Sequence, residues 1–228
     1  MLGGVPESLR LFIESSTPRA SLALLRGSTV VFEDSFTSDR SHNAMLFGPL
    51  EQALALIPEG ETLAAVVIGT GPGSYSGTRV GIAAGQGVAM VHACPAVGLS
   101  SLLAVERGPA LAVGDARRGS AWRLSIDPER PDDEPVLCGV ADLADEIRDV
   151  LAAGSPVFSL EPAGKIGLPE DLAAAIRVDQ PDAPGLAAAW LGLAPGVQAR
   201  LEKIPPQPVY LRPPHVTMAK SGHPLLRK

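Results

Sequence analysis

Short apolar runs, alternating or continuous, open the chain. Residues 9–14, 20–26 and 30–36 are three such runs, separated by SSTPR and by Gly27-Ser28-Thr29, the small, polar and proline-bearing sequences that turns require. This pattern predicts a β-meander. The period then changes: Ser41 stands where a helix N-cap belongs, and Met45, Leu46, Leu50, Ala53, Leu54 and Ile57 follow at helical spacing until Pro58 ends the run. Residues 63–68, LAAVVI, are continuously apolar, as a strand covered on both faces must be, and they lead into a glycine-rich loop, GTGPGSYSG. A second helix, over residues 78–91, leaves that loop. Beyond Pro95 the pattern repeats more weakly, with a short helix at 100–106 and strands at 110–114 and 121–126. The whole reads as α/β, and the two halves have the look of distant copies of one unit.

Composition narrows the class. A chain of 228 residues with 46% hydrophobic and 19% charged residues can bury a core and is not intrinsically disordered. Its 24 glycines and 22 prolines imply many short elements. A net charge of −6 works against binding a polyanion unless cations gather on one face. Cys94 and Cys138 form no CxxC motif, so neither a disulfide framework nor a zinc site is indicated, and a cytoplasmic location is expected. The apolar span 80–99 contains four glycines and Pro95, which reads as buried helix plus strand rather than a membrane crossing. Residues 127–149 carry nine carboxylates against Arg130 and Arg148 and predict a solvated acidic surface. Lys203, Arg212, Lys220, Arg227 and Lys228 meet no acid in a proline-rich tail, the place for a direct contact with RNA.

The glycine loop is where chemistry could reside. Its glycines allow close backbone approach, and the helix that follows offers partial positive charge to an anion, with Gly71, Gly73 and Ser74 as the candidate donors. Yet the Walker pattern lacks its lysine, the sequence there being Gly77-Thr78-Arg79, and Ser74 stands where a dinucleotide fingerprint has its third glycine. A tight turn made for helix–strand packing fits equally well. Glu14, at the end of the first strand, is the carboxylate placed as a metal or phosphate ligand would be, or as a hydrogen-bonded turn acid. No HExxH and no GxSxG elbow occurs, so a metal site and a hydrolase triad lack support. Trp122 and Trp190 read as core or interface fillers.

Gly77, Gly81, Gly85 and Ala89 recur every four residues along the second helix, leaving a stripe nearly bare of side chains. Each interior glycine costs about 0.5–1 kcal/mol relative to alanine, so something must pack closely there. Either this chain's own sheet or a helix of another subunit fits the spacing.

LFIESSTPRASLALL, RSHNAMLFGPLEQAL, GTGPGSYSGTRVGIAAGQGVAM, LAVGDARRGSAW and PVYLR resemble, in this order, the blocks of the TsaB (YeaZ) family of the actin-like, sugar-kinase and Hsp70 superfamily. The resemblance implies two ribonuclease-H-like (actin-like ATPase) subdomains, each a mixed sheet flanked by helices, the second reduced. They would occupy residues 9–106, with the glycine loop and partner-binding helices, and 107–206, followed by a C-terminal segment at 207–228. It further implies a non-catalytic partner of TsaD, which transfers the threonylcarbamoyl group to the adenosine beside the tRNA anticodon, with the ATPase TsaE as a third member. ATP and metal would then sit on the partner proteins, tRNA would be met through the complex, and the free chain could form a homodimer. The family contact is a four-helix arrangement, which assigns Met45, Leu46, Leu50, Gly77, Arg79, Gly81, Gly85 and Ala89 to the interface. This chain has Glu14-Ser15 where the family has aspartate and threonine, and it lacks the HxxxH pair of TsaD. The contrasting reading is an ATP-binding enzyme of the same fold, acting alone with Glu14, Gly71, Gly73 and Ser74 on phosphate.

Overall fold

A computed structural model describes residues 7–37 and 42–211. The meander forms as the pattern requires: β1 (Leu9–Glu14), β2 (Arg19–Arg26) and β3 (Thr29–Thr37) pair antiparallel, with Phe12 opposite Ala23 and Ala23 opposite Glu33. After α1 (His42–Ala55), β4 (Leu63–Gly69) joins β1 in parallel. After α2 (Tyr75–Val91), β5 (Ala96–Leu99) joins β4. The sheet order is β3-β2-β1-β4-β5. The apolar span at 80–99 is thus helix and strand, and no described helix is long and apolar enough to cross a membrane.

Alternation along the central strands assigns the two faces. Leu11 and Ile13 of β1, with Val66 and Ile68 of β4, turn toward α1 and α2, where Leu46, Leu50, Ala53, Ile82 and Val88 complete a core. Phe12, Ala65 and Val67 point the other way. That second face is covered by α3 (Leu102–Val105) and α6 (Ala183–Gly192).

The second sheet consists of β6 (Ala110–Asp115), β7 (Ser120–Ile126), β8 (Val136–Gly139), β9 (Val157–Ser159) and β10 (Arg177–Val178) in the order β10-β9-β6-β7-β8. Its outer strands are only two to four residues long, the reduction expected of this half. One face packs on α4 (Val140–Ala152) and α5 (Glu170–Ala175). The other contributes Ala112, Trp122 and Phe158 to the same core as Phe12 and Trp190, so both tryptophans are fillers, 4% and 1% exposed. The architecture is two mixed sheets flanked by helices.

The second sheet ends at Val178, and α6 returns to the first sheet: the Ala183 amide donates to Ser21 Oγ at 2.8 Å, and Ala183, Leu186 and Trp190 are buried in the shared core. Two expectations shift. The acidic segment is not surface throughout, since it contains β8 and most of α4, whose Leu143, Ala144 and Ile147 are buried. Finally, α2 begins three residues early, because the Ser74 hydroxyl accepts the Gly77 amide and caps the helix there. α7 (Pro195–Leu201) precedes the C-terminal segment. In the basic tail Lys203 is exposed, while Arg212, Lys220, Arg227 and Lys228 lie outside the described residues.

Candidate functional site

The loop between β4 and α2 closes directly onto the turn after β1. The Ser74 amide donates to the Ser16 carbonyl at 2.5 Å, and the Ser15 hydroxyl donates to the Gly77 carbonyl at 2.9 Å. Glycine is required for this approach: a Cβ on Gly73 or Gly77 would run into the carbonyl oxygens of Ser16 and Ser15. Gly71 sits at φ +87° and donates its amide to Ser101 Oγ at 2.9 Å. The Gly77 and Thr78 amides go to the hydroxyl and the carbonyl of Ser74. The Gly71 and Ser74 amides that would help cradle a phosphate are therefore spent inside the chain, while Gly73 stays exposed, and the loop packs as a tight turn against the segment after β1. Gly73 and Ser74 do border a cavity of about 410 Å³ between the sheets, with Thr17, Asp115, Arg117 and Trp122.

Glu14 does not reach that cavity. It is fully buried, with Oε1 accepting the Ser16 amide at 2.7 Å and Oε2 lodged under Gly69 without a hydrogen bond. Burial pushes its carboxyl above the usual range, although the polar groups of Ser16 and Ser101 beside it pull the other way. Its burial away from the cavity is what weighs against a metal or phosphate role for Glu14. Of the four candidates, Glu14, Gly71 and Ser74 are engaged within the chain and Gly73 is the exposed member.

The stripe on α2 faces inward. A Cβ on Gly85 would stand 2.6 Å from Ile68 Cδ1 and 3.3 Å from Val66 Cγ1, and one on Gly81 would collide with the Ser15 hydroxyl. Gly77, Gly81, Gly85 and Ala89 are buried against β1 and β4, so the backbone they accommodate belongs to this chain. Leu46 and Leu50 are likewise core residues, 1% and 6% exposed, their side chains turned to the sheet. Of the eight residues assigned to an interface, Met45 and Arg79 are on the surface.

The open side of the same helix pair has the opposite character. Phe47, Leu54, Val80, Ala83, Ala84, Gly87 and Val91 line a groove of about 510 Å³ between α1 and α2, bordered by Leu50, Val88 and His92 and almost wholly apolar. Phe47 is 53% exposed and Val91 83%, beside Met90 at 82%. A Cβ on Gly87 meets nothing within 4 Å. Contiguous exposed apolar surface of this kind is what protein, membrane or ligand contacts use. Spacing arguments missed it because they followed the smallest residues. The available signal was that α2 has small or apolar residues on two sides, more than one sheet face can cover.

The comparisons fall on this region. A family model described as "TsaD: tRNA N6-adenosine threonylcarbamoyltransferase" matches residues 37–119, which include α1, the glycine loop and α2. The tRNA threonylcarbamoyladenosine biosynthesis protein TsaB of Escherichia coli is 33% identical over 125 residues, 49% of this chain and 52% of that protein. The alignment thus spans about half the length of that relative. Two solved structures from Pseudomonas aeruginosa share the fold. One is a protein described as similar to peptidase YEAZ, with a TM-score of 0.62 at 23% identity, and the other is YeaZ, with 0.56 at 22%; each match covers 90% of this chain and 100% of the neighbour. By sequence over about half its length and by fold over most of it, the chain is similar to the TsaB and YeaZ proteins, with which it shares two mixed sheets flanked by helices.

Proposed function

We propose that the chain serves in tRNA threonylcarbamoyladenosine synthesis as a non-catalytic partner that docks TsaD through the outer faces of α1 and α2. The observation that carries this reading is the exposed apolar groove between those helices, which lies within the stretch similar to the TsaD family. Two helices from each side, with Phe47, Val80, Ala84 and Val91 at the centre, suffice for an interface of ordinary size, about 800 Å² per partner. The transferring chemistry, its ATP and its metal then belong to TsaD and TsaE. The same surface can close on a second copy of the chain when TsaD is absent. Reconstitution tests the proposal: TsaD and TsaE convert tRNA with this chain present and fail without it, with the modified nucleoside read by mass spectrometry. Equal conversion in its absence would refute the assignment.

The alternative, an ATP-binding enzyme acting alone, is disfavoured by the internal use of the Gly71, Ser74, Gly77 and Thr78 amides and by the burial of Glu14. Calorimetry of the purified chain with ATP is expected to show no binding at millimolar concentration. A saturable heat would revive that reading.

A further inference from the structure

Away from the apolar groove, at the other end of α2, three side chains cluster in the open. Tyr75 begins the helix and Arg79 follows one turn later, its guanidinium 5.0 Å from the Tyr75 ring centroid and hydrogen-bonded to the phenolic oxygen. Tyr210, from the segment after α7, brings its ring to 5.6 Å from that of Tyr75 at an interplanar angle of 34°. Burial is the ordinary fate of such rings, yet these remain 55% and 47% exposed. Together they flank a cleft of about 440 Å³ that Ser74, Ser76, Asp115 and Arg117 also line. Asp115 is the carboxylate of the cleft, and its Oδ1 already accepts the Arg117 amide at 2.7 Å. Arg118 stands exposed in the same turn.

We infer that Arg79, Tyr75 and Tyr210 form an open stacking platform for an unpaired RNA base, so that this chain contacts the tRNA itself. The inference rests on the functional reading above. Aromatic faces accept any base, and guanidinium groups suit the adjoining phosphates. Base-paired RNA does not present such faces. A protein partner finds its match instead in the apolar groove between α1 and α2, where arginine is absent from the lining. Arg117 in the cleft lining and Arg79 on Tyr75 beside it place local positive charge where the net charge of −6 would otherwise repel a polyanion.

The test uses the full-length chain assembled with TsaD, a fluorescein-labelled tRNA anticodon stem–loop, and a blunt RNA duplex as control. Tyr75→Leu combined with Tyr210→Leu keeps apolar bulk but removes both π faces, and stem–loop affinity should fall at least about tenfold. Tyr75→Leu with Tyr210→Trp should recover most of that loss, and co-purification with TsaD should be the same for all variants. Three results would overturn the platform: affinity indifferent to these changes, equal binding of the duplex, or loss of TsaD together with RNA, which would make the patch the rim of a protein contact. Failure of the unmodified chain to associate with TsaD would instead count against the functional reading.

Discussion

At Glu14 the burial of one ionisable group sets a pH dependence for the whole fold. Its carboxyl holds a proton more firmly in the native chain than in the unfolded one, so the native state binds more protons, and stability falls as pH rises from the ordinary value of 4.5 through the raised native value. Glu14→Gln keeps an acceptor for the Ser16 amide and removes the charge. Urea denaturation should find the two proteins equal in acid and the glutamine variant more stable at neutral pH. A variant less stable at neutral pH would show that the carboxylate is held by contacts stronger than its desolvation. Two glycines of α2 give a second contrast at this scale. Gly85→Ala drives a methyl group into Ile68 and should cost about 1–3 kcal/mol in thermal or urea unfolding. Gly87→Ala meets open space and should add about 0.5–1 kcal/mol through helix propensity.

Those glycines also mark what the order of residues can disclose about an element. Bare backbone at every fourth position of α2 demanded a close neighbour, and that demand was legible. Which neighbour was not, because a strand of the same chain and a helix of another satisfy the same spacing. The identity of the neighbour follows from the register of β1 and β4, which sets Ser15, Val66 and Ile68 beneath the stripe. The strands, by contrast, could be read almost to the residue, since alternation and turn chemistry are local properties of the meander. The loop stayed open between two readings for a related reason. GTGPGSYSG reads alike whether its amides face a phosphate or the turn after β1, and only the meeting with Ser16 separates the two. For α1, Phe47→Asp introduces a charge into the groove at an exposed position. It should leave the melting temperature within a few degrees while weakening TsaD binding more than tenfold, as shown by analytical gel filtration of the mixture.

Over the whole molecule, the path of α6 was the part hardest to foresee. The helix follows the second sheet in sequence but is buried between both sheets, so its burial depends on partners far away in the chain, such as Ser21 and Phe12. With the core shared in this way, a large apolar face stays open among the described residues on the outer side of α1 and α2. The account depends most on that face being a docking surface. Its most direct test is the dissociation constant for TsaD of Gly87→Glu, a change that places a charge in the groove where a side chain meets no obstacle. The account predicts a chain with unchanged melting temperature that no longer binds TsaD at micromolar concentration. Unaltered binding by the folded variant would contradict it.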